Sequence, residues 1–455
     1  RVLIRPEKNC LNKNMRITTL NYILLGALPF FFFFRAASRN ILHPVMISMC
    51  SGLLPFLLGI QLSISDNPEL TAIYSPILAM IYAGSFLGKK KQNTRPEYKI
   101  TVNENNARSH SIAFRLAVLL AIAGISFMFL KRGIPVLADE PNIAKVTFSK
   151  DGGWAATRLV RYLLLTLFYM SIIYCFHLAR VRIKAATNKA MESEIGELIK
   201  YSSKGWLVLG FAILLLFTSL GYKANIIAFF LWSACFIGLT TRLRLMNLAP
   251  FIAAGAVFSI FALYIIQKTQ GLADLLVFLY MRATTSAAEG LIYVLSNYGV
   301  TEPFLYGEGF WFDLSNVLLK LGLTPVIPLH LHELNFDAVI FEKILGHNEY
   351  HMQATSSLFG QLYANFGLPA TLAGTFLFFF FFVRFGDYLV TGRKTIIGAP
   401  LYFLLFQQYQ TFIAGGAVLI TVFDTAVSLA TFFTAYALVY LFLRLPAGTM
   451  SFKIP

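Results

Sequence analysis

Long apolar runs decide what this chain can become. About eleven of them lie near 18–34, 41–63, 70–88, 112–130, 159–179, 205–221, 226–241, 248–266, 368–383, 396–415 and 418–443. Wound as helices, runs of this kind cross the roughly 30 Å of hydrocarbon in a bilayer. A segment in hydrocarbon must satisfy its backbone polar groups within itself, which leaves the helix as the way to use so many separate runs. The composition agrees, with 57% apolar and only 13% charged residues, against about 45–50% and about 25% in soluble domains. The expected fold is therefore all-α, a polytopic integral membrane protein with one large external segment.

Four parts follow from this pattern. Residues 1–17 form a tail, 18–266 an N-terminal bundle, 267–367 a mixed, charged and aromatic segment, and 368–455 a C-terminal set of helices. The net charge of +16 raises the question of nucleic acid. The basic residues sit mainly in short loops beside the apolar runs, where topology puts them, so no nucleic-acid partner is expected. One alternating set of loops includes Arg35 and Arg39, Lys89 to Lys91, Arg180 and Arg182, Arg242 and Arg244, and Arg393 and Lys394. Leaving out the N-terminal tail, it holds about twice as many Lys and Arg as the opposite set and is assigned to the cytoplasm, so the large segment faces outward.

The tail opposes this orientation, because Arg1, Arg5, Lys8, Lys13 and Arg16 should prefer the cytoplasm. We expect translation to start at Met15, with residues 1–14 as upstream read-through; a peptide from those residues in mass spectrometry of the native protein would overturn this. The first run lacks a small-residue cleavage site after it and reads as a retained span. Cys50, Cys175 and Cys235 lie inside apolar runs and Cys10 in the tail, which is no framework for external disulfides. The phenylalanine runs at 30–34 and 378–382 read as lipid-facing or packed apolar surface. Eight spans before the large segment and three after it do not make the two comparable halves of an inverted-repeat carrier.

Outward cations are the first candidates for chemistry: Arg158, Arg161, Lys223, Lys268 and Arg282, each at or near an outer span end. Interfacial snorkelling accounts for any one taken singly. Their shared leaflet runs against the positive-inside bias, and a polyanionic lipid headgroup would explain it, since a guanidinium holds two diphosphate oxygens at once. Arg282 and Glu289 are seven apart, and on one continuous helix they would share a face. Leu279, Met281, Ala288, Leu291 and Leu295 give that helix an apolar side suited to lying along a membrane surface, with a plain structural pair as the alternative. His347, Glu349 and His351, or His330 and His332, have metal-ligand residue types, but HNEYH is not the helical HExxH arrangement and no cysteine joins it. No metal is expected; a histidine acting as base on a sugar hydroxyl is a further reading of His351. In the last spans Asp424, Gln407, Gln408 and Gln410 are expected to line an internal cavity or to bond neighbouring helices.

Four stretches carry a resemblance: RGIPVLADEP (132–141), GYKANII (221–227), RATTSAAEGLIYVLSNYG (282–299) and GQLYANFG (360–367). With the hydropathy layout from Met15 onward, the chain resembles the Wzy-type O-antigen or oligosaccharide repeat-unit polymerases, including the enterobacterial common antigen polymerase branch. The resemblance implies a GT-C-like, metal-independent, inverting glycosyltransferase of the bacterial inner membrane that needs no cofactor and faces the periplasm. The donor it implies is a glycan on undecaprenyl diphosphate, and the acceptor is a hydroxyl of an incoming lipid-linked repeat unit. A chain-length regulator (polysaccharide co-polymerase) and a flippase are the implied partners. Arg282 matches the family's arginine at the start of the external helix, and Glu289 and Asn297 fall where comparable residues occur. The turn that usually reads Gly-x-Arg has Lys223 here, which keeps the charge and loses the two-pronged geometry. Some related polymerases carry an arginine just ahead of Asp424, where Ile420 stands. The expected diphosphate-binding residues are thus Arg282, Lys223 and Lys268, helped by Arg161 and Arg158. Glu289 is the candidate base and His351 its reserve. An O-antigen ligase, or a non-enzymatic flippase of lipid-linked oligosaccharides, would share much of this layout.

Overall fold

The computed structural model describes residues 43–49, 69–89, 99–101, 122–141, 204–221, 245–267, 271–283, 285–320, 336–346, 354–390, 393–395 and 418–444, with isolated positions between them. The fold is all-α. Its helices are α1 (Pro44–Ser48), α2 (Leu70–Gly88), α3 (Lys204–Ser219), α4 (Leu245–Gln267) and α5 (Leu272–Ala283), followed by α6 (Thr285–Asn297), α7 (Glu308–Lys320), α8 (Phe336–Leu345), α9 (Ser357–Val390) and α10 (Val418–Arg444). Residues 122–132 are also helical. Two three-residue strands, β1 (Lys99–Thr101) and β2 (Arg393–Thr395), pair in parallel with Lys99 opposite Arg393.

Among the described residues two helices are long and apolar enough to cross a membrane, Leu70–Gly88 and Ser357–Leu389. Helices α3, α4 and α10 lie at the apolar runs 205–221, 248–266 and 418–443. The runs 18–34 and 159–179 are outside the described residues, and 226–241 and 396–415 largely so.

Helices α2 and α9 form the main seam of the core, and they run parallel. Gly84 and Gly88, one turn apart, lie against the carbonyl oxygens of Phe376 and Phe380, so closely that a Cβ at either glycine would collide with the oxygen. This is the small-xxx-small device, in which absent side chains let two backbones touch where no hydrophobic effect drives helices together. The phenylalanine run of α9 packs on one side and opens on the other: Phe378, Phe379 and Phe382 are buried, while Phe381 is 55% exposed. Phe378 stacks on Tyr409 at 4.7 Å and Phe382 on Phe406 at 4.8 Å. Near the far end of α9, buried His43 accepts the Val45 N–H at the start of α1 and sets its Nε2 3.3 Å from Asp387 Oδ1.

The other end of the seam carries the segment between α4 and α9. Helix α6 buries Ala288, Leu291, Val294, Leu295 and Tyr298 in the main core. Its Gly290 meets the Ala354 and Thr355 carbonyl oxygens, each 2.8 Å from where a Cβ would sit. Helix α9 begins inside this segment and breaks at Gly367, whose φ of 72° lies in the left-handed region. Pro369 lacks the N–H that would reach the Asn365 carbonyl, which accepts the Tyr306 N–H at 2.9 Å instead, and Thr371 Oγ1 donates to the Gly367 carbonyl at 2.8 Å. The kink falls at residue 367, the last residue of the mixed, charged and aromatic segment.

Candidate functional site

Arg282 lies in the last turn of α5 and Glu289 is exposed on α6. The two helices have separate bounds and residue 284 between them is outside the described residues, so the shared face expected of one continuous helix has no support here. The apolar side expected to lie along a membrane surface is instead buried in the protein core, with Ala288, Leu291 and Leu295 packed among the core residues of the neighbouring helices. Lys223, Lys268, Arg158, Arg161 and His351 lie outside the described residues, as do His330, His332, His347, Glu349, Gln407 and Gln410. Asn297, matched by resemblance, closes α6: its carbonyl accepts the N–H groups of Val300, Thr301 and Glu302, and its side chain bonds Tyr293 O and Thr301 Oγ1. Asp424 is half-buried on α10, and Ile420 packs with Val317 and Phe423. No cluster of three or more His, Cys, Asp or Glu suited to a metal ion occurs among the described residues.

What the structure builds instead is a buried polar frame around the octet GQLYANFG. Gln361 is fully buried and uses both ends of its amide. Nε2 donates to Asp313 Oδ2 at 3.0 Å, and Oε1 accepts the Val418 N–H at 3.2 Å, where α10 begins. Asn365, one turn on, accepts the Gly307 and Gly309 N–H groups on Oδ1 at 3.1 and 3.0 Å. Its Nδ2 donates to the Gln361 carbonyl at 2.7 Å. The Leu305 and Tyr306 N–H groups reach the Ala364 and Asn365 carbonyls. The octet thus joins α7, α9, α10 and the 304–309 loop in one network.

Two buried carboxylates complete it. Asp337, in the first turn of α8, accepts the Ser356 N–H at 3.0 Å and the Ser356 hydroxyl at 2.5 Å, just ahead of α9. Asp313 accepts the Phe336 N–H at 3.3 Å. Burial pushes the Asp313 carboxyl up to about 7, with Asp337 adding repulsion, and the donors from Gln361, Phe336 and Leu419 only partly oppose this. An acid whose folded pKa is raised binds its proton more tightly when folded, so it withdraws stability as pH rises from about 4 to about 7. The melting temperature of the detergent-purified protein is expected to fall between pH 5 and pH 8 by a component that Asp313→Asn removes. An unchanged pH profile in that variant would show that Asp313 is not responsible.

Outside the frame, Glu302 pairs with Lys343 and accepts the Tyr293 hydroxyl at 2.6 Å. Partial burial pushes Glu302 up, but the ammonium and the phenol outweigh it and hold the carboxyl below its usual range. Lys343 also sits 5.0 Å from the Tyr298 ring centroid. A separate open cavity of about 570 Å³ is lined by Arg132, Gly133, Ile134, Pro135, Leu137 and Phe148, with others. Arg132 donates to the Phe148 carbonyl at 3.2 Å and lies 6.0 Å from that ring's centroid.

The sequence reading missed Asp313 and Asp337, and it picked out Gln361, Asn365 and Arg132 only inside stretches of resemblance, without a role for them. A lone acid in the apolar helix FWFDLSNVLL was the available signal for Asp313, since a carboxylate on such a face needs a buried partner. No family model, no curated protein and no solved structure matches this chain.

Proposed function

We propose that the chain is a polysaccharide polymerase of the Wzy type, an inner-membrane glycosyltransferase with about eleven spans and its reaction face in the periplasm. It passes a growing glycan from undecaprenyl diphosphate to a hydroxyl of an incoming lipid-linked repeat unit. The new glycosidic bond forms as the anomeric carbon–phosphate oxygen bond breaks, the diphosphate keeps that electron pair, and the hydroxyl proton goes to a base. Diphosphate leaves readily, so cations matter more than an acid, which is the role proposed for Arg282, Lys223, Lys268, Arg161 and Arg158. Glu289, exposed on α6, is the proposed base and His351 the reserve. A co-polymerase that sets chain length and a flippase that delivers the repeat unit are the proposed partners.

The observation that carries the reading is its sidedness. Segments assigned to one side by charge meet others of the same side. On the cytoplasmic side β1 pairs with β2, and His43 faces Asp387. On the outer side Gln361 holds the start of α10, and Val136 packs with Leu214, Ile226, Ala262 and Ile266. The 267–367 segment meets the outer ends of its neighbours, as with Leu57, Ile60, Tyr74 and Ile77 around Leu291 and Leu295.

Deletion of the gene, followed by electrophoresis of surface glycans, tests the proposal. A polymerase deletion leaves single repeat units on the lipid A core. Polymer stranded on its carrier would make the protein a ligase, and repeat units retained inside would make it a flippase. Arg282→Ala is expected to lower transfer by about 10²–10³-fold, the scale for losing one charge-stabilising donor, with the protein still in the membrane. Normal polymer length in that variant would refute the role of Arg282.

A further inference from the structure

The 304–309 loop treats its two aromatic residues in opposite ways. Phe304 is an anchor: its ring packs against Gly299 and Gly367 and meets Tyr363 edge-on at 5.8 Å. Tyr306, two residues later, is 81% exposed, and its φ of 47° is a conformation that bulky side chains rarely adopt. The octet fixes it there, through the Tyr306 N–H on the Asn365 carbonyl and the Gly307 and Gly309 N–H groups on Asn365 Oδ1. Trp311 follows within a turn or so and is 54% exposed. Phe366 belongs to the octet itself, is 46% exposed, and stacks on Phe310 at 5.9 Å. Backbone strain and a hydrogen-bonded frame therefore hold the Tyr306 ring in the open, beside the exposed rings of the helices that follow and underlie it.

We infer that Tyr306, Trp311 and Phe366, with Glu308 at their edge, form a stacking platform for the pyranose rings of a glycan. A sugar ring offers an apolar C–H face to an aromatic ring and hydroxyl donors around its rim. The exposed Glu308 carboxylate is a strong acceptor for such hydroxyls. The nearby charges favour this ligand over a lipid surface. Lys343 is already paired with Glu302, and the charge beside the rings is the Glu308 carboxylate, an acceptor for hydroxyls and no partner for an anionic headgroup. A lipid contact also needs no fixed backbone, whereas a ligand of defined shape gains affinity from a platform ordered in advance. As the acceptor side of glycan transfer, the platform rests on the polymerase reading; as a sugar-binding surface it does not.

The test uses the full-length protein in nanodiscs and, as probe, the oligosaccharide released by mild acid from the surface polysaccharide of the cells that make it. Saturation-transfer NMR should show contact between aromatic protons and sugar protons in the wild type. Tyr306→Gly, which relieves the backbone while removing the ring, and Trp311→Ala should each weaken binding about tenfold, and Tyr306→Phe should retain it. Retained binding in a Tyr306→Gly/Trp311→Ala double variant would overturn the platform. So would strong quenching of Trp311 by headgroup-labelled lipid, with the other three tryptophans changed to Phe, because the rings would then be membrane anchors. Absence of wild-type binding while gene deletion still abolishes polymer would overturn the platform alone. Unchanged polymer in the deletion strain with intact binding would overturn the polymerase reading and leave the platform standing.

Discussion

Gly84→Leu is expected to yield almost no folded protein. At this position α2 meets a backbone carbonyl of α9, the Phe376 oxygen, not the tip of a movable side chain. Extra methylenes in a packed core cost about 1–3 kcal/mol where side chains can yield. Here the two helices must part, and separation also loosens Gly88 against Phe380 and the buried Phe379 beside it. A cost above about 3 kcal/mol is a large fraction of the roughly 5–15 kcal/mol that holds a typical domain together. Size-exclusion chromatography of detergent extracts reads this as loss of the monodisperse peak. Gly124→Leu is the control, since a Cβ at Gly124 meets nothing within 4 Å. Equal behaviour of the two variants would show that the seam is not closed at Gly84.

Gln361→Leu is the second large effect. The substitution keeps the volume and removes both ends of the amide, leaving the Asp313 carboxylate and the Val418 N–H without this partner. A buried polar group that loses its partner costs about 1–3 kcal/mol, so the pair amounts to about 2–6 kcal/mol. The loss should exceed that of Gln408→Leu, a half-buried glutamine near the following span. Thermal unfolding of the purified protein compares them. A Gln361→Leu melting temperature within a degree or two of wild type would show that water or a rearranged side chain restores both bonds.

Much of the helical frame was legible because hydropathy is local. The limits of α2 coincide with the apolar run 70–88, and α4 covers 248–266, since each residue votes for its own solvent. The polar frame was not legible, because Gln361 finds its partners 48 and 57 residues away, at Asp313 and Val418. No local pattern announces such a meeting. GQLYANFG was conspicuous by resemblance but had no derivable chemistry; its glycines and amides become intelligible only once the 304–309 loop lies across it. Arg282 and Glu289 mark a different limit: their spacing gives a shared face only on an unbroken helix, and residue 284, where α5 and α6 would join, lies outside the described residues.

The contacts of Gly84 with Phe376 and of Gly88 with Phe380 also fix a rule of parity. Two parallel helices that both cross a bilayer traverse it in the same sense. On the proposed membrane reading, the chain leaving Gly88 on one side has to return to the opposite side before Leu368, which takes an odd number of crossings. The five apolar runs between them, from 112–130 to 248–266, satisfy this. Any revision of the span count in that region therefore has to add or remove crossings in pairs, and one contact between two glycines and two carbonyls constrains the routing of nearly 280 residues.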